Sequence, residues 1–235
     1  MDRKTNVSPA PFRIATVLLL GGQALYIAIT LLHAGGPAND HQEIFQTYAH
    51  NQIWMGVHLG QFAAFAIMSA GLLAFFQAAD LRHPSPNWLN RAGAGAAVAA
   101  LALYGALQAV DGVALKQAVA AWAMAPEAER AARFASAETV RWLEWGMRSY
   151  HDFAFALALL ACAGVALRNF GALMGLCVAA SSAAYVAQGW LVGVEGFSPA
   201  QSNAIVLGWA LSLVWIVALA VISWRAQDAR PSQGE

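Results

Sequence analysis

His58, Asp111, Glu144, Arg148, His151 and Asp152 are ionisable residues set among long apolar stretches of this sequence. Such a group costs about 2.5–3.5 kcal/mol at the centre of a bilayer, so those that occur face the protein interior and mark candidate sites. Two imidazoles with nearby carboxylates offer three kinds of chemistry. His58 and His151 could be axial ligands of haem b, with Arg148, one turn from His151, neutralising its propionates. His58 and His151, with a carboxylate from Asp111 or Glu144, could instead hold a divalent transition metal such as zinc or iron. Without a metal, Asp111 and Glu144 could be an acid–base pair, kept in different protonation states by burial and by Arg148. The glycines of Gly56-Val57-His58-Leu59-Gly60 would let a flat macrocycle approach, although the same spacing also serves helix packing.

The spacing of the other polar residues supports a shared pocket. Gln23, Tyr26, Thr30 and His33 form one helical stripe, as do Ser181, Tyr185 and Gln188. His58 pairs with Gln61, and Gln108 with Asp111, each at i, i+3. Glu144, Arg148 and Asp152 follow one another at intervals of four, which predicts an arginine held between two carboxylates. Gln23, Tyr26, Gln61, Gln108, Tyr185 and Gln188 are therefore expected to line a substrate pocket. His33, His41 and His50 fall at or beyond the outer boundary, where solvent or a loose metal site would meet them. His83 falls in a loop with Pro84.

The elements that must position these residues follow from composition. The chain has 235 residues, 59% hydrophobic and 11% charged, against roughly 25% charged in soluble domains. Six stretches reach the length of about 20 apolar residues that a spanning helix needs: about 14–33, 52–78, 92–115, 140–167, 170–192 and 203–224. The first is too long for a signal core and reads as a permanent helix. Gly35-Gly36-Pro37, Pro84-Ser85-Pro86, Pro126 and Phe197-Ser198-Pro199 punctuate the gaps. The fold class is an all-α membrane protein, a six-helix bundle forming one domain over 1–235.

Basic residues orient it. Arg3, Lys4, Arg13, Arg82, Arg91, Arg168, Arg225 and Arg230 share one side, while the loops at 34–51 and 193–201 carry no lysine or arginine. Both termini are thus expected to be cytoplasmic, in a membrane of the bacterial inner-membrane type. The polar stripes then occupy the outer half, and Trp54, Trp142, Trp145 and Trp190 fall near the outer interface. Asp40 with Glu43 three residues later predicts a short outer helix. A separate amphipathic piece is expected over 126–134, with Ser136 capping the fourth span.

Zero formal net charge argues against a nucleic-acid partner. Cys162 and Cys177 lack CxxC spacing and read as small core residues. No P-loop, dinucleotide fingerprint or Ser–His–Asp motif appears, nor a helical His-x-x-x-His or Glu-x-x-His ligand pair. The expected partners are membrane lipids and a lipophilic small molecule. The functional readings are a haem- or metal-binding redox protein, a proton-coupled carrier, an acid–base enzyme on a lipophilic substrate, and a structural subunit whose ion pairs are inert.

Overall fold

Long apolar runs bounded by glycine and proline become the membrane helices. The computed structural model describes residues 10–82 and 87–228; Arg3, Lys4, His83, Pro84-Ser85-Pro86 and Arg230 lie outside them. The order is α1 (Ala10–Thr30), α2 (His41–His50), α3 (Trp54–Asp80), α4 (Trp88–Ala109), a π-helical turn (Val110–Leu115), α5 (Lys116–Ala123), α6 (Glu127–Phe170), α7 (Ala172–Glu195) and α8 (Pro199–Asp228). Six spans are long and apolar enough to cross a bilayer, the third being the continuous run Trp88–Ala123. The chain is a multi-pass, all-α membrane bundle. Arg13 Nε donates to Ser223 O at 3.0 Å, so α1 begins where α8 finishes.

Small residues let these helices close on one another. A Cβ at Gly22 would lie 2.7 Å from the backbone N of Met68, and one at Gly71 would lie 2.8 Å from that of Leu19. These contacts lock α1 to α3. Ser149 and Ser182 on the α6–α7 seam donate to Gly189 O and Ala156 O at 2.8 and 2.7 Å. Valines and leucines on the outside of α8, such as Val206, Leu207 and Val214, are exposed and face lipid.

The opposite end departs from the sequence expectation. No separate helix covers 126–134. Instead α6 runs unbroken for 44 residues, about 66 Å at 1.5 Å per residue and twice the roughly 30 Å hydrocarbon core. The reason is local. No glycine or proline stands between Glu127 and Trp145, and Ser136 and Thr139 bond back to Ala132 O and Ala135 O rather than cap anything. The first turns of α6 therefore rise beyond the bilayer with α2 and α5. There Ile44, Phe45, Tyr48, Trp54, Leu115, Val119, Trp122 and Ala137 form a second small core.

Several devices fasten this cap. Asp40 caps α2 by accepting from Glu43 N, as its spacing foretold. Lys116 Nζ donates to Tyr48 O, Ala49 O and Asn51 O at 2.5–2.9 Å, closing the carbonyl end of α2. His41 Nδ1 meets Glu138 Oε1 at 2.9 Å, so His41 ties α2 to α6 rather than facing solvent. Gly196 takes a left-handed φ of 69° between α7 and α8, where Trp145 and Asn39 leave no room for a Cβ. Trp54 is buried in the cap core, 1% exposed, whereas Trp142 and Trp190 do lie at the surface.

Candidate functional site

Beneath the cap, α3, the third span and the segment after α1 converge. The π-helical turn matters here, because one additional residue per turn re-aims the side chains it carries. It holds Asp111 and Gly112. Trp54 Nε1 donates to Asp111 O at 3.0 Å, satisfying a carbonyl within that turn. Gly112 faces His58: a Cβ there would sit 2.7 Å from His58 Cβ. Only glycine lets α3 and the third span approach this closely.

The result is a contact of 2.9 Å between His58 Nε2 and Asp111 Oδ2. His58 Nδ1 lies 2.7 Å from Trp54 O. A carbonyl only accepts, so Nδ1 carries the hydrogen and Nε2 presents either a lone pair or a second proton to Asp111. His33 has the same arrangement, with Nδ1 at 3.0 Å from Ala34 O and its ring centroid 5.2 Å from that of His58. One ligand atom each from His33, His58 and Asp111 lies within 4.8 Å of the others. Burial holds the His33 imidazole below its ordinary value, against the pull of the Asp111 charge. Asp111 Oδ1 is buried with no hydrogen-bond partner among the described residues.

His33 and Asp111 of this cluster line a cavity of about 330 Å³, with His58 behind them. Of the residues the sequence singled out, Tyr26, Gln61, Gln108, Asp111, Glu144 and Arg148 line it. Residues the sequence did not single out complete it: Tyr48 from the cap, Arg141 from α6, and Phe197, Gln201 and Trp209 from the α7–α8 turn and α8. Burial pushes the Tyr48 phenol up, so it stays neutral. Gln108 Oε1 and both amide atoms of Gln201 are buried without partners among the described residues.

Two ion pairs on α6 close the remaining wall, and neither is Glu144–Arg148. Glu144 Oε2 takes Arg141 Nη1 at 2.6 Å, with both side chains 2% exposed. Arg141 Nη2 donates to Ala38 O at 3.1 Å, and its guanidinium lies 4.6 Å from the Phe197 ring. Arg141 therefore binds the loop after α1 as well as Glu144, which leaves Glu144 no need of Arg148. Arg148 Nε instead donates to Asp152 Oδ2 at 3.0 Å, and Asp152 is fully buried.

The structure does not bring His58 and His151 together. His151 Nδ1 lies 3.0 Å from Ala100 O, and its ring stacks on Phe155 with its edge toward Phe65. Phe65 follows His58 by seven residues on α3, about 10 Å of helix rise. The cavity beside His151 is about 10 Å³, the space of one water. A macrocycle has no place between the two histidines, and Gly60 packs on Ile29 instead. Glu144 is paired with Arg141. Tyr185 lies beside His151, Gln188 packs against Gly208, and Gln23 is buried; none of the three lines the main cavity.

The sequence did not single out Arg141, and it read His33 as meeting solvent or a loose metal site. His33 ends the Gln23–Tyr26–Thr30 stripe, and that register was the available signal. No protein family model, curated protein or solved structure matches this chain.

Proposed function

We propose that the protein binds a divalent transition metal, zinc or iron(II), through His33, His58 and Asp111, and presents it to a small molecule in the adjoining cavity. One observation carries this reading. Three chain segments deliver two imidazoles and a carboxylate to one point, and each imidazole has its Nδ1 hydrogen tied to a backbone carbonyl. That second contact fixes the tautomer a metal ligand needs and orients the ring. Two histidines and one carboxylate leave coordination positions open. Ligand atoms about 2.1 Å from one ion lie roughly 3.4 Å apart at tetrahedral angles, so closing the group requires side-chain shifts of about an ångström. A bound ion would supply Lewis-acid chemistry or, if iron, redox chemistry. The helical spans suit a membrane of the bacterial inner-membrane type, our proposed location, because outer membranes are crossed by barrels.

The test is cobalt(II) substitution of chelator-treated protein in detergent. We expect one ion per chain, with a visible spectrum lost in His33→Ala and Asp111→Asn but retained in His151→Ala. A chain that takes up no cobalt, or that loses it only in His151→Ala, would rule the reading out.

The shared contact of His58 and Asp111 favours one second reading, a proton relay in a coupled carrier. Unchanged pH dependence of solute uptake by vesicles containing Asp111→Asn would remove it.

A further inference from the structure

We infer that the cavity receives a small monocarboxylate, anchored on Arg148 and Tyr26. This deepens the proposed function and shares its pocket. Arg148 and Tyr26 are not metal ligands, however, so the two readings can fail separately.

Arginine has five N–H groups. Arg148 gives one to Asp152 and one to Tyr26 Oη at 3.4 Å, and the other three have no partner among the described residues. Its side chain is 13% exposed in the middle of a membrane span, and it lines the cavity. Tyr26 Oη also accepts from Tyr104 Oη at 3.1 Å. It thus accepts twice, while its own hydrogen has no acceptor among the described residues. Arg148 and Tyr26 both line this cavity with donors to spare, and a carboxylate there would bring the acceptors. Arg141 also gives two of its five N–H groups, to Glu144 and Ala38 O, and its Nε has no partner among the described residues; it differs in exposure, 2% against 13%, with its guanidinium against Phe197.

Charge and size narrow the ligand. Asp152 offsets Arg148, and Asp111 and Glu144 stand in the same cavity wall. Arg141 is likewise offset by Glu144, so a dianionic phosphate would stand against Asp111 with two charges and a monocarboxylate with one, and the anchor acts through its free N–H groups rather than through spare charge. A planar carboxylate also suits the fork of an arginine edge. The lining also includes the apolar Leu107, Ile205 and Trp209, the last with its ring 6.0 Å from that of Tyr26. The volume of about 330 Å³ lies at the small end of ligand pockets, which run to about 300–1,000 Å³. A carboxylate on a body of five to eight carbons fits these limits.

Hexanoate, hexan-1-ol and hexyl phosphate are the probes, titrated calorimetrically into purified protein with and without cobalt. We expect hexanoate to bind at least tenfold tighter than either analogue, and to do so without metal. Tyr26→Phe should weaken hexanoate roughly tenfold while leaving the cobalt spectrum intact. Arg148→Gln combined with Asp152→Asn, which leaves no buried lone charge, should abolish the preference over hexan-1-ol. Hexanoate binding no tighter than hexan-1-ol, or equally tight in both variants, overturns the anchor, as does tighter binding of hexyl phosphate. Cobalt uptake without hexanoate binding overturns the anchor and spares the metal reading. Hexanoate selectivity without cobalt uptake does the reverse.

Discussion

Around Gly22, Gly71 and Gly93 the helices meet through absent side chains, and the fit is set by shape. Around Arg141, Arg148 and Asp111 they meet through charges, and the fit is set by valence. In the first region a Cβ at Gly93 would fall within 3 Å of Phe76 and Ala161, so the packing has no slack and nothing left over. In the second, each charged group has a fixed number of hydrogens or lone pairs, and the count comes out unequal. Glu144 and Arg141 pair at 2% exposure with only Arg141 Nε left over as a buried atom, whereas Arg148, Asp111 and Gln201 retain free valences at the cavity. The contrast separates polar residues that hold helices together from those available to a ligand.

That separation can be broken most forcefully at Arg141. Replacing it with methionine strands Glu144 as a buried carboxylate, and we expect a loss of about 3–5 kcal/mol in unfolding measured in micelles. Adding Glu144→Leu should restore most of it. A double variant as unstable as the single one would mean that this pair is not self-contained.

In the shape-fitted region, Gly22→Ala and Gly71→Ala should each cost about 1–3 kcal/mol by overpacking, read by the same unfolding assay. Neither should change cobalt affinity, because both lie on the α1–α3 seam away from His58. Gly112→Ala crosses the two regions. Its added methyl pushes His58, so cobalt affinity should fall by about 10–100-fold, as for other residues that orient a ligand. If Gly112→Ala leaves cobalt binding unchanged, His58 is not positioned by the π-helical turn.

The smallest effect belongs to the exposed turns of α6. Glu129 and Arg133 form a pair with both side chains more than half exposed. Substituting either with alanine should shift stability by no more than about 0.5 kcal/mol, against several for Arg141. Charge alone therefore does not make a region sensitive; burial does.

The sequence alone determined the six crossings, because lipid demands about 20 apolar residues per helix regardless of what the helices touch. It also determined the α2 cap, since Asp40 and Glu43 interact within one turn. It placed Tyr26, Gln61, Gln108, Asp111, Glu144 and Arg148 on inward faces, and all six line the cavity. Partners were another matter. Helical spacing gives the direction of a side chain about its own axis, but not the depth or identity of what faces it. His58 and His151 look equivalent on that measure, and the bundle sets them about two turns apart in different company. Glu144 and Arg148 satisfy the i, i+4 rule, yet Arg141 competes because the loop carbonyl of Ala38 and the ring of Phe197 hold it in reach. Asp111 meets His58 through a π-helical turn that a period of 3.6 does not foresee. Which polar groups pair, and which remain open to a ligand, was decided only when the helices packed, because each group spends its few hydrogen bonds on whichever neighbour the fold brings nearest.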